Sequence, residues 1–533
     1  MNQIEAKKQR IEYFSHVLGL ISLMVLGKLI GNNGLTYLAL IIECVSLFVV
    51  LINGSGADMI GKLIRTRRKK NQYREAALLH KTYVWVQCIM AFVMMVAYFF
   101  LTDVFSEVIF KMPYLTVAMK VLTPVIALRV LQCLMLGYFQ GMGANLPTVV
   151  CAVFRQLLFL LFSLLLAVKL TAYGEKVAVV LHNPDLSGMY GALGICIAMV
   201  IADILVTLFL VIIYIGSDRK KEIRKTEEGL QRTESLSDRV RLIIYVSVPE
   251  MIKELLKKLP FMTCLVFVLL KAENLSQATH EYGVFYGYFV GLCAIFVFFI
   301  LFRVIHLTNS MAKIKSRKDN RSLRELIYAG LHYCWACGLY ISVSLVVLGP
   351  QIASVIHKQK ASVLEQYYVK GGAIVTLLVL GIFIWRSLYE TGARRLCYFL
   401  LAVLNAIFVG ACIFIQGKGV ESVFSILYGA MIAIAIYLLL AFLLIVRRYV
   451  LQPDMIRGCL IPIVGAGVMG LVMMLVRKLL SPHVSSLMCL MLCLAFGLIA
   501  YVSVLFATRS VKEREVNLIY GKLGRNLLGL FVK

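Results

Sequence analysis

Residues 190–215 read YGALGICIAMVIADILVTLFLVIIYI, with a single charged residue, Asp203. A helix that is apolar on all sides needs apolar surroundings on all sides. At about 1.5 Å per residue, this stretch also exceeds the roughly 30 Å of a bilayer core. Similar runs recur to the end of the chain, at 11–31, 83–101, 282–302, 326–349, 421–446 and 485–507. The sequence therefore predicts an all-α integral membrane protein.

The composition supports this prediction. Of the 533 residues, 61% are hydrophobic and 16% are charged, with a mean hydropathy of +0.86. These values exclude a soluble domain with one ordinary core. The fourteen cysteines are scattered through apolar runs and predict no disulfide framework. Because no cleavage site follows the short basic N-terminus, 11–31 is predicted to be a retained span.

Several function classes are disfavoured. The chain has no phosphate-binding glycine motif in a suitable context, so direct use of ATP is not expected. We expect no cofactor, no metal and no enzymatic activity; transport would be coupled to H⁺, Na⁺ or the membrane potential. The net charge of +27 indicates membrane topology and contact with anionic lipids, and not binding to nucleic acid.

The distribution of basic residues predicts the topology. We place about fourteen spans at 11–31, 35–60, 83–101, 116–140, 146–169, 190–215, 245–270, 282–305, 326–349, 371–389, 396–415, 421–446, 458–476 and 485–508. With the N-terminus inside, the inner loops and tails carry 38 Lys and Arg residues and the outer loops carry ten. This bias predicts an even number of spans with both termini cytoplasmic.

Two pairs of similar segments indicate an internal repeat. Lys62 and Lys313 begin similar basic loops, and Gly141 and Gly392 end similar spans; both pairs lie 251 residues apart. An even number of spans between equivalent elements predicts parallel halves with a site between them. The alternative is that basic loops resemble each other through the positive-inside bias alone. The predicted parts are a six-helix bundle at 1–218, a basic linker at 219–241, a second six-helix bundle at 242–450, two further spans at 451–508 and a basic tail at 509–533.

The densest set of charges within a span is VPEMIKELLKKLP at 248–260. At about 100° per residue, Glu250, Lys253, Glu254, Lys257 and Lys258 share one helix face, with one net positive charge. In one interpretation this face lines a water-filled vestibule and binds a phosphate-bearing head group. In the other, 245–258 is an interfacial helix whose charges lie in water.

Further ionisable residues lie within spans of the first half, where they are costly and therefore candidates for function. They are Lys28, Glu43, Asp58, Lys120, Arg129, Arg155 and Asp203. Arg129 and Arg155 lie deep and suit bidentate phosphate binding, whereas Lys28 and Lys120 lie near outer ends and can reach the interface. The three carboxylates are candidates for coupling a proton or Na⁺; the alternative is pairing with a neighbouring Arg or Lys.

Two motifs resemble those of a known family. They are GADMIGK at 56–62, before a basic loop, and GYFQGMGANLP at 137–147, whose distinctive residues are Gly137, Tyr138, Gln140, Gly141 and Pro147. They resemble the MurJ and SpoVB branch, the polysaccharide-biosynthesis branch, of the multidrug/oligosaccharidyl-lipid/polysaccharide flippase superfamily. The resemblance implies two six-helix bundles, alternating access, a cationic central cavity, an undecaprenyl-linked substrate and a lipid groove formed by the last two spans. The paired arginines of span 1 in lipid II flippases are absent, since Lys28 is the only basic residue within that span.

The residues and this resemblance together predict a monomeric flippase for an undecaprenyl-diphosphate oligosaccharide or peptidoglycan precursor in a bacterial cytoplasmic (inner) membrane. The phosphates would bind to Arg129, Arg155, Lys253, Lys257 and Lys258. One alternative is a multidrug or cation antiporter of the related multidrug-extrusion family, which favours twelve spans and acidic cavities. Another is a polysaccharide polymerase or ligase, which would need a large outer loop, whereas the outer loops here have at most about 20 residues.

Overall fold

The computed structural model describes residues 3–53, 56–144, 146–216, 234–270, 274–356, 361–449, 454, 456–511 and 513–520, and all regular elements in these ranges are helical. The α-helices are α1 (Gln3–Asn53), α2 (Gly56–Lys69), α3 (Tyr73–Asp103), α4 (Thr116–Val121), α5 (Thr123–Gly141), α6 (Leu146–Val180), α7 (Asp185–Gly216), α8 (Leu236–Leu270), α9 (Leu275–Val284), α10 (Gly291–Ser316), α11 (Asn320–Ile356), α12 (Ala361–Gly371), α13 (Ile374–Glu390), α14 (Arg394–Gln416), α15 (Ser422–Tyr449), α16 (Ile461–Leu480), α17 (Ser486–Ala507) and α18 (Glu513–Tyr520). Short π-helical stretches occupy Val104–Ile109, Phe285–Val290 and Ile456–Leu460, and Pro113–Leu115 is a 3₁₀ turn. The all-α membrane fold class is confirmed.

The chain divides into two compact units, Met1–Gly283 (unit 1) and Val284–Lys533 (unit 2). The boundaries predicted from the sequence repeat stay a prediction. The predicted linker at 219–241 lies outside the described residues up to position 233, and the predicted tail lies outside them beyond position 520.

Gly31 interrupts α1 with φ 74° and ψ 174°, a conformation that is essentially restricted to glycine. Before this break, the Ser15 hydroxyl donates a hydrogen bond to the carbonyl of Ala152 near the start of α6 (3.1 Å). After the break, the Asn33 amide donates to Asp185, which follows the far end of α6 (2.7 Å). The first part of α1 therefore runs the length of α6.

The chain then returns to its starting side. A Cβ on Gly61 of α2 would lie 3.0 Å from Cβ of Gln140 near the end of α5. The Gln140 amide donates to the hydroxyl of Thr148 at the start of α6 (3.3 Å). Residues 14–61 therefore cross unit 1 twice, as predicted for spans 1 and 2. We call the two ends of unit 1 the Gly31 end and the Gly143 end, after the glycine in the α5–α6 turn.

Eleven stretches of the described residues are long and apolar enough to span a membrane, or twelve if the pair Val363–Gly371 and Ile374–Glu390, bent by 50°, is one broken span. One of the eleven, Phe14–Lys69, contains both crossings described above. The charged helix α8 is not among them. The number fourteen therefore stays a prediction, which requires α8 to be a span.

One contact recurs in both units with the spacing of the sequence repeat. In unit 1, Arg65 donates to the carbonyl of Gln140 at the end of α5 (2.8 Å). In unit 2, Lys315 donates to the carbonyl of Thr391 directly after α13. A basic side chain that binds the free carbonyls of a helix end stabilises it. The donors lie 250 residues apart and the acceptors 251 apart, which supports an internal repeat over the positive-inside bias alone.

Candidate functional site

All residues predicted for the cavity and for ion coupling lie in unit 1. Most of them form two clusters, one on α8 and α1 and one on α5, α6 and α7. We call the first the α8 cluster (Glu43, Glu250, Lys253, Glu254, Lys257 and Lys258) and the second the Arg155 cluster (Arg129, Arg155 and Asp203).

Helix α8 runs from one end of unit 1 to the other. Before its first residue, Glu234 pairs with Arg67 (2.5 Å) and its backbone N–H donates to Glu75 (2.9 Å), at the Gly143 end. The next helix, α9, places His280 against Asn32 at the Gly31 end (2.9 Å). The 35 residues of α8 span about 52 Å at the usual helical rise.

The charged face of α8 therefore lies within this crossing. Lys258 pairs with Glu43 of α1 at 2.9 Å, and Glu43 stands about midway along the chain between Gly31 and Gly56. This position favours the interpretation of 245–258 as part of a span over that of an interfacial helix in water.

The α8 cluster compensates its own charge. Lys253 pairs with Glu250 and, at 3.3 Å, with Glu254, which also pairs with Lys257 at 2.8 Å. Lys258 binds Glu43, whose side chain is only 6% exposed and which also accepts a hydrogen bond from Ser46 (3.1 Å). Three lysines thus face three carboxylates. The five residues that α8 contributes have one net positive charge, as predicted, and Glu43 from α1 brings the formal charge of the whole cluster to zero.

In the Arg155 cluster, Asp203 is the buried counterion of Arg129. Arg129 Nε lies 3.1 Å from Asp203 Oδ2, and the Asp203 side chain is 1% exposed. Gln132 donates to the Asp203 carbonyl (3.0 Å) and to the hydroxyl of Thr207 (3.1 Å), which in turn donates to the same carbonyl (2.6 Å). Glu43 and Asp203, two of the three predicted ion-coupling residues, are therefore both engaged in ion pairs, and their coupling role stays a prediction.

Arg155 differs from Arg129 and from the lysines of the α8 cluster, which all have a carboxylate partner. It is half-buried on the apolar helix α6, close enough to Arg129 and Asp203 for their charges to interact. The described part of the chain places neither a hydrogen-bond acceptor nor a carboxylate in direct contact with its guanidinium. The next residue, Gln156, has a buried Nε2 that likewise finds no acceptor among the described atoms. An uncompensated guanidinium inside an apolar helix is costly unless an anion binds there.

Lys28 and Asp58 belong to neither cluster. Lys28 is exposed on α1 near Gly31, and Asp58 is exposed in the first turn of α2. A carboxylate at a helix N-terminus is stabilised by the unpaired backbone N–H groups there. Roles for these two residues in substrate binding and ion coupling stay predictions.

The two family-like motifs pack against each other. A Cβ on Gly137 would lie 2.1 Å from a methyl group of Ile60, and one on Gly141 would lie 2.6 Å from Ile64. The close contact of α2 with α5 therefore requires these glycines. Tyr138 packs its ring against Tyr214 (centroids 5.2 Å apart). The motif thus builds the fold at the Gly143 end, with Pro147 in the first turn of α6.

Unit 2 contains an apolar cavity of about 640 Å³ between α10, α11, α17 and α18, lined by Phe296, Tyr333, Tyr340, Tyr501 and Phe506 among others. The His332–Glu515 pair, 2.7 Å apart, joins α11 to α18 beside it. Of the two helices predicted to form a lipid groove, α17 lines this cavity. From the sequence, the residues of α18 were placed in the basic tail, although Val516, Ile519 and Tyr520 in EREVNLIY (513–520) have the i, i+3, i+4 spacing of an amphipathic helix.

Neither a protein-family model nor a curated protein sequence matches this chain. Solved structures do. The lipid II flippase MurJ in an inward closed conformation matches with a TM-score of 0.66 and 11% identity, over 93% of this chain and 97% of MurJ. An inward-facing multidrug resistance MATE family transporter of the MOP superfamily matches with a TM-score of 0.60 and 12% identity, over 82% of this chain and 94% of the transporter. The chain has the fold of the MOP-superfamily transporters. A MOP-superfamily transporter from Pyrococcus furiosus also matches, with a TM-score of 0.54 and 13% identity, over 83% of this chain and 94% of that one.

Within the MOP fold, the two kinds of neighbour differ in how much of this chain they cover. The MurJ match covers 93% and the MATE match 82%. The difference is roughly 60 residues, about the length of two spans with their loop. The MOP fold and the apolar helices together identify a multi-pass membrane protein.

Proposed function

We propose that this chain is a flippase that moves a lipid-linked glycan with a diphosphate group, of the undecaprenyl-diphosphate type, across a bacterial cytoplasmic membrane by alternating access. The observation that carries the proposal is Arg155, a half-buried guanidinium on an apolar helix that no described carboxylate compensates. Because flippases and drug exporters share the MOP fold, the fold does not distinguish between these two functions. The charges of unit 1 are therefore used to choose between an anionic and a cationic substrate.

The sign of the uncompensated charge favours an anionic substrate. In both clusters every carboxylate has a cationic partner: Glu250 and Glu254 on α8, Glu43 on α1 and Asp203 on α7. A cationic drug would find no free carboxylate in these clusters. A diphosphate, in contrast, would find the guanidinium of Arg155, which can bind two phosphate oxygens at once.

The length of the match supports the same proposal. The MurJ neighbour matches a larger part of the chain than the MATE neighbour. The additional two-span length agrees with the predicted helices at 451–508, which would accompany the lipid tail of a substrate in the bilayer. We further propose that both termini are cytoplasmic and that the protein acts as a monomer.

The second candidate is a multidrug exporter, which the MATE neighbour supports with a TM-score of 0.60. It predicts export of cationic drugs or dyes that depends on a carboxylate. Under this candidate, replacing Arg155 would leave transport unchanged.

The test is transport in proteoliposomes with an undecaprenyl-diphosphate sugar whose sidedness is followed by a membrane-impermeant enzyme. Loss of charge-assisted hydrogen bonds of about 1.5–3 kcal/mol corresponds to a reduction of roughly 10- to 100-fold. We expect this reduction for Arg155→Ala and a smaller one for Arg155→Lys, which keeps the charge without the planar fork. Arg321→Ala is the matched control, because Arg321 is 85% exposed at the start of α11.

Wild-type transport by folded Arg155→Ala would contradict the proposal. Dye export by the same proteoliposomes, unaffected by Arg155→Ala, would favour the exporter.

A further inference from the structure

Helix α9 lies against the turn at Gly31, at the end of unit 1 opposite the family-like motifs. The Asn32 amide and the His280 imidazole form a hydrogen bond of 2.9 Å. The hydroxyl of Thr36 donates to the carbonyl of Thr279 at 2.5 Å, and both threonine side chains are buried. Two hydrogen bonds thus join one face of α9 to the residues that follow Gly31.

Gly283 brings the two segments into backbone contact. A Cβ at this position would lie 1.9 Å from the carbonyl oxygen of Asn32 and 2.7 Å from its carbonyl carbon. Real side chains do not approach backbone atoms this closely, and a backbone carbonyl cannot rotate away as a flexible side chain does. Any residue larger than glycine at 283 would therefore hold α9 away from the turn by about 1 Å or more.

The other side of the same turn is fixed to α7. Asn33 donates to Asp185 (2.7 Å), and a Cβ on Gly34 would lie 2.9 Å from the carbonyl oxygen of Gly188. The turn is therefore anchored to the helices of unit 1 independently of α9. Separating α9 would break the two bonds from Asn32 and Thr36 but not those to α7.

The shape of α9 suits a moving element. It has ten residues, and the π-helical stretch Phe285–Val290 follows it directly. A π-helical turn shifts the hydrogen-bond register, is less stable than an α-helix and is frequent at functional sites. Glycines at 283, 287 and 291 border or lie within this stretch. α9 is thus short and lies beside a stretch where the helix can bend.

We propose that α9 is a gate helix that closes the Gly31 end of unit 1, and that Gly283 is the position where this helix contacts the backbone of the turn. In the conformation described here the gate is closed on Asn32 and Thr36. In the opposite conformation of a transport cycle α9 leaves the turn, while the turn stays bound to α7. With the predicted topology, the Gly31 end faces the outside, so this is the outer gate. The inference rests on the alternating access of the proposed function, but the gate is observable without a substrate.

Hydrogen–deuterium exchange of the purified full-length protein in lipid nanodiscs tests the gate. Gly283→Val should increase amide exchange at least tenfold in peptides covering 275–283 and 32–44, and leave 185–200 and the helices of unit 2 unchanged. Gly410→Val is the matched control, because a Cβ at Gly410 on α14 meets no atom within 4 Å. Unchanged exchange at 275–283 in folded Gly283→Val would overturn the proposal.

A second variant covers the case in which Gly283→Val does not fold. The double variant Asn32→Ala and Thr36→Val removes the two hydrogen bonds described above without adding bulk at the contact. We expect the same peptides to exchange faster, by about three- to tenfold. A uniform increase over the whole of unit 1, or no increase, would overturn the gate.

The requirement for opening is tested by cross-linking. Asn32→Cys together with His280→Cys should be bridged by Hg²⁺, which should stop transport, and a dithiol should restore it. The wild type treated in the same way is the control for the native cysteines. Undiminished transport by the bridged protein would overturn the proposal that α9 is a gate. Absence of transport in every sample would contradict the proposed flippase function alone, because the exchange experiment detects opening of α9 without any transport.

Discussion

The α8 cluster and the Arg155 cluster contain the same kinds of residue within the same unit, but they differ in how charge is compensated. In the α8 cluster, three lysines face three carboxylates, with Glu43 supplied by α1. In the Arg155 cluster, two arginines share one carboxylate, Asp203, which binds Arg129. The first is a network with equal numbers of basic and acidic side chains that joins two helices, and the second has one more arginine than it has carboxylates. This comparison indicates that a basic residue within a span is a candidate for substrate binding only when the tertiary structure gives it no carboxylate partner.

The largest expected effect comes from removing the one carboxylate of the Arg155 cluster. Asp203→Ala leaves Arg129 without its partner and also leaves Arg155 without the nearby negative charge. We expect the free energy of unfolding to fall by about 3 kcal/mol, at the lower end of the usual cost of breaking a buried pair, because Arg129 is 32% exposed. Equilibrium unfolding in mixed detergent micelles measures this loss.

The matched control is the double variant Arg129→Met and Asp203→Leu, which removes both charges. It should recover most of the lost stability. Equal instability of the single and double variants would show that packing around Asp203, and not charge, explains the loss.

A smaller effect is expected from the pair that joins α8 to α1. Lys258→Met and Glu43→Gln should show a coupling energy of about 1–2 kcal/mol in a double-mutant cycle. Lys258 is 32% exposed, so water screens part of the interaction. A coupling energy near zero would mean that α8 is not held to α1 through this pair, and would weaken the assignment of α8 as a span.

Arg155→Leu should change stability in the opposite direction. Because this guanidinium has no described carboxylate partner, its replacement removes a cost and should raise the free energy of unfolding by about 1 kcal/mol, while transport falls. Arg129→Leu is the matched comparison and should lower stability, since it strands Asp203. Destabilisation by both variants to the same extent would erase the distinction between the two arginines.

The smallest effect is expected at Lys257. This side chain is 38% exposed, and its partner Glu254 keeps a second cation, Lys253, at 3.3 Å. Lys257→Ala should therefore change the free energy of unfolding by no more than about 0.5 kcal/mol. A loss above about 1 kcal/mol would show that the α8 cluster depends on this lysine more than its geometry indicates.

Much of the fold was predictable because the bilayer imposes strong rules on sequence. The apolar length of α7, for example, follows from the thickness of the bilayer core, a requirement that acts on each helix by itself. Helix ends were less predictable: α3 begins at Tyr73 and α6 continues to Val180, beyond the apolar runs used to place them. Helical hydrogen bonding propagates into flanking polar residues, which hydropathy does not register.

The candidate site was predictable only as a collection of residues. Each of Arg129, Arg155, Lys253, Lys257 and Lys258 was identified because a charge within a span is costly. Their partners were not all identifiable, since Glu43 meets Lys258 across 215 positions of sequence and Asp203 meets Arg129 across 74. The sequence did not show the structural role of the GYFQG segment, whose Gly137 and Gly141 pack α5 against α2 and whose Tyr138 packs against Tyr214 of α7.

The amino-acid sequence alone was sufficient to predict a lipid environment and the approximate positions of the helices. It also identified the charged residues within spans, which need partners to offset the cost of placing them in the bilayer. These follow from the transfer of side chains and backbone groups between water and hydrocarbon, which depends on local composition. The tertiary structure was needed to show which charges cancel, that Gly283 lies against the backbone of Asn32, and that Arg155 has no carboxylate partner among the described residues. Such outcomes depend on distances of a few ångströms between helices far apart in sequence, because electrostatic attraction and steric repulsion act between neighbours in space.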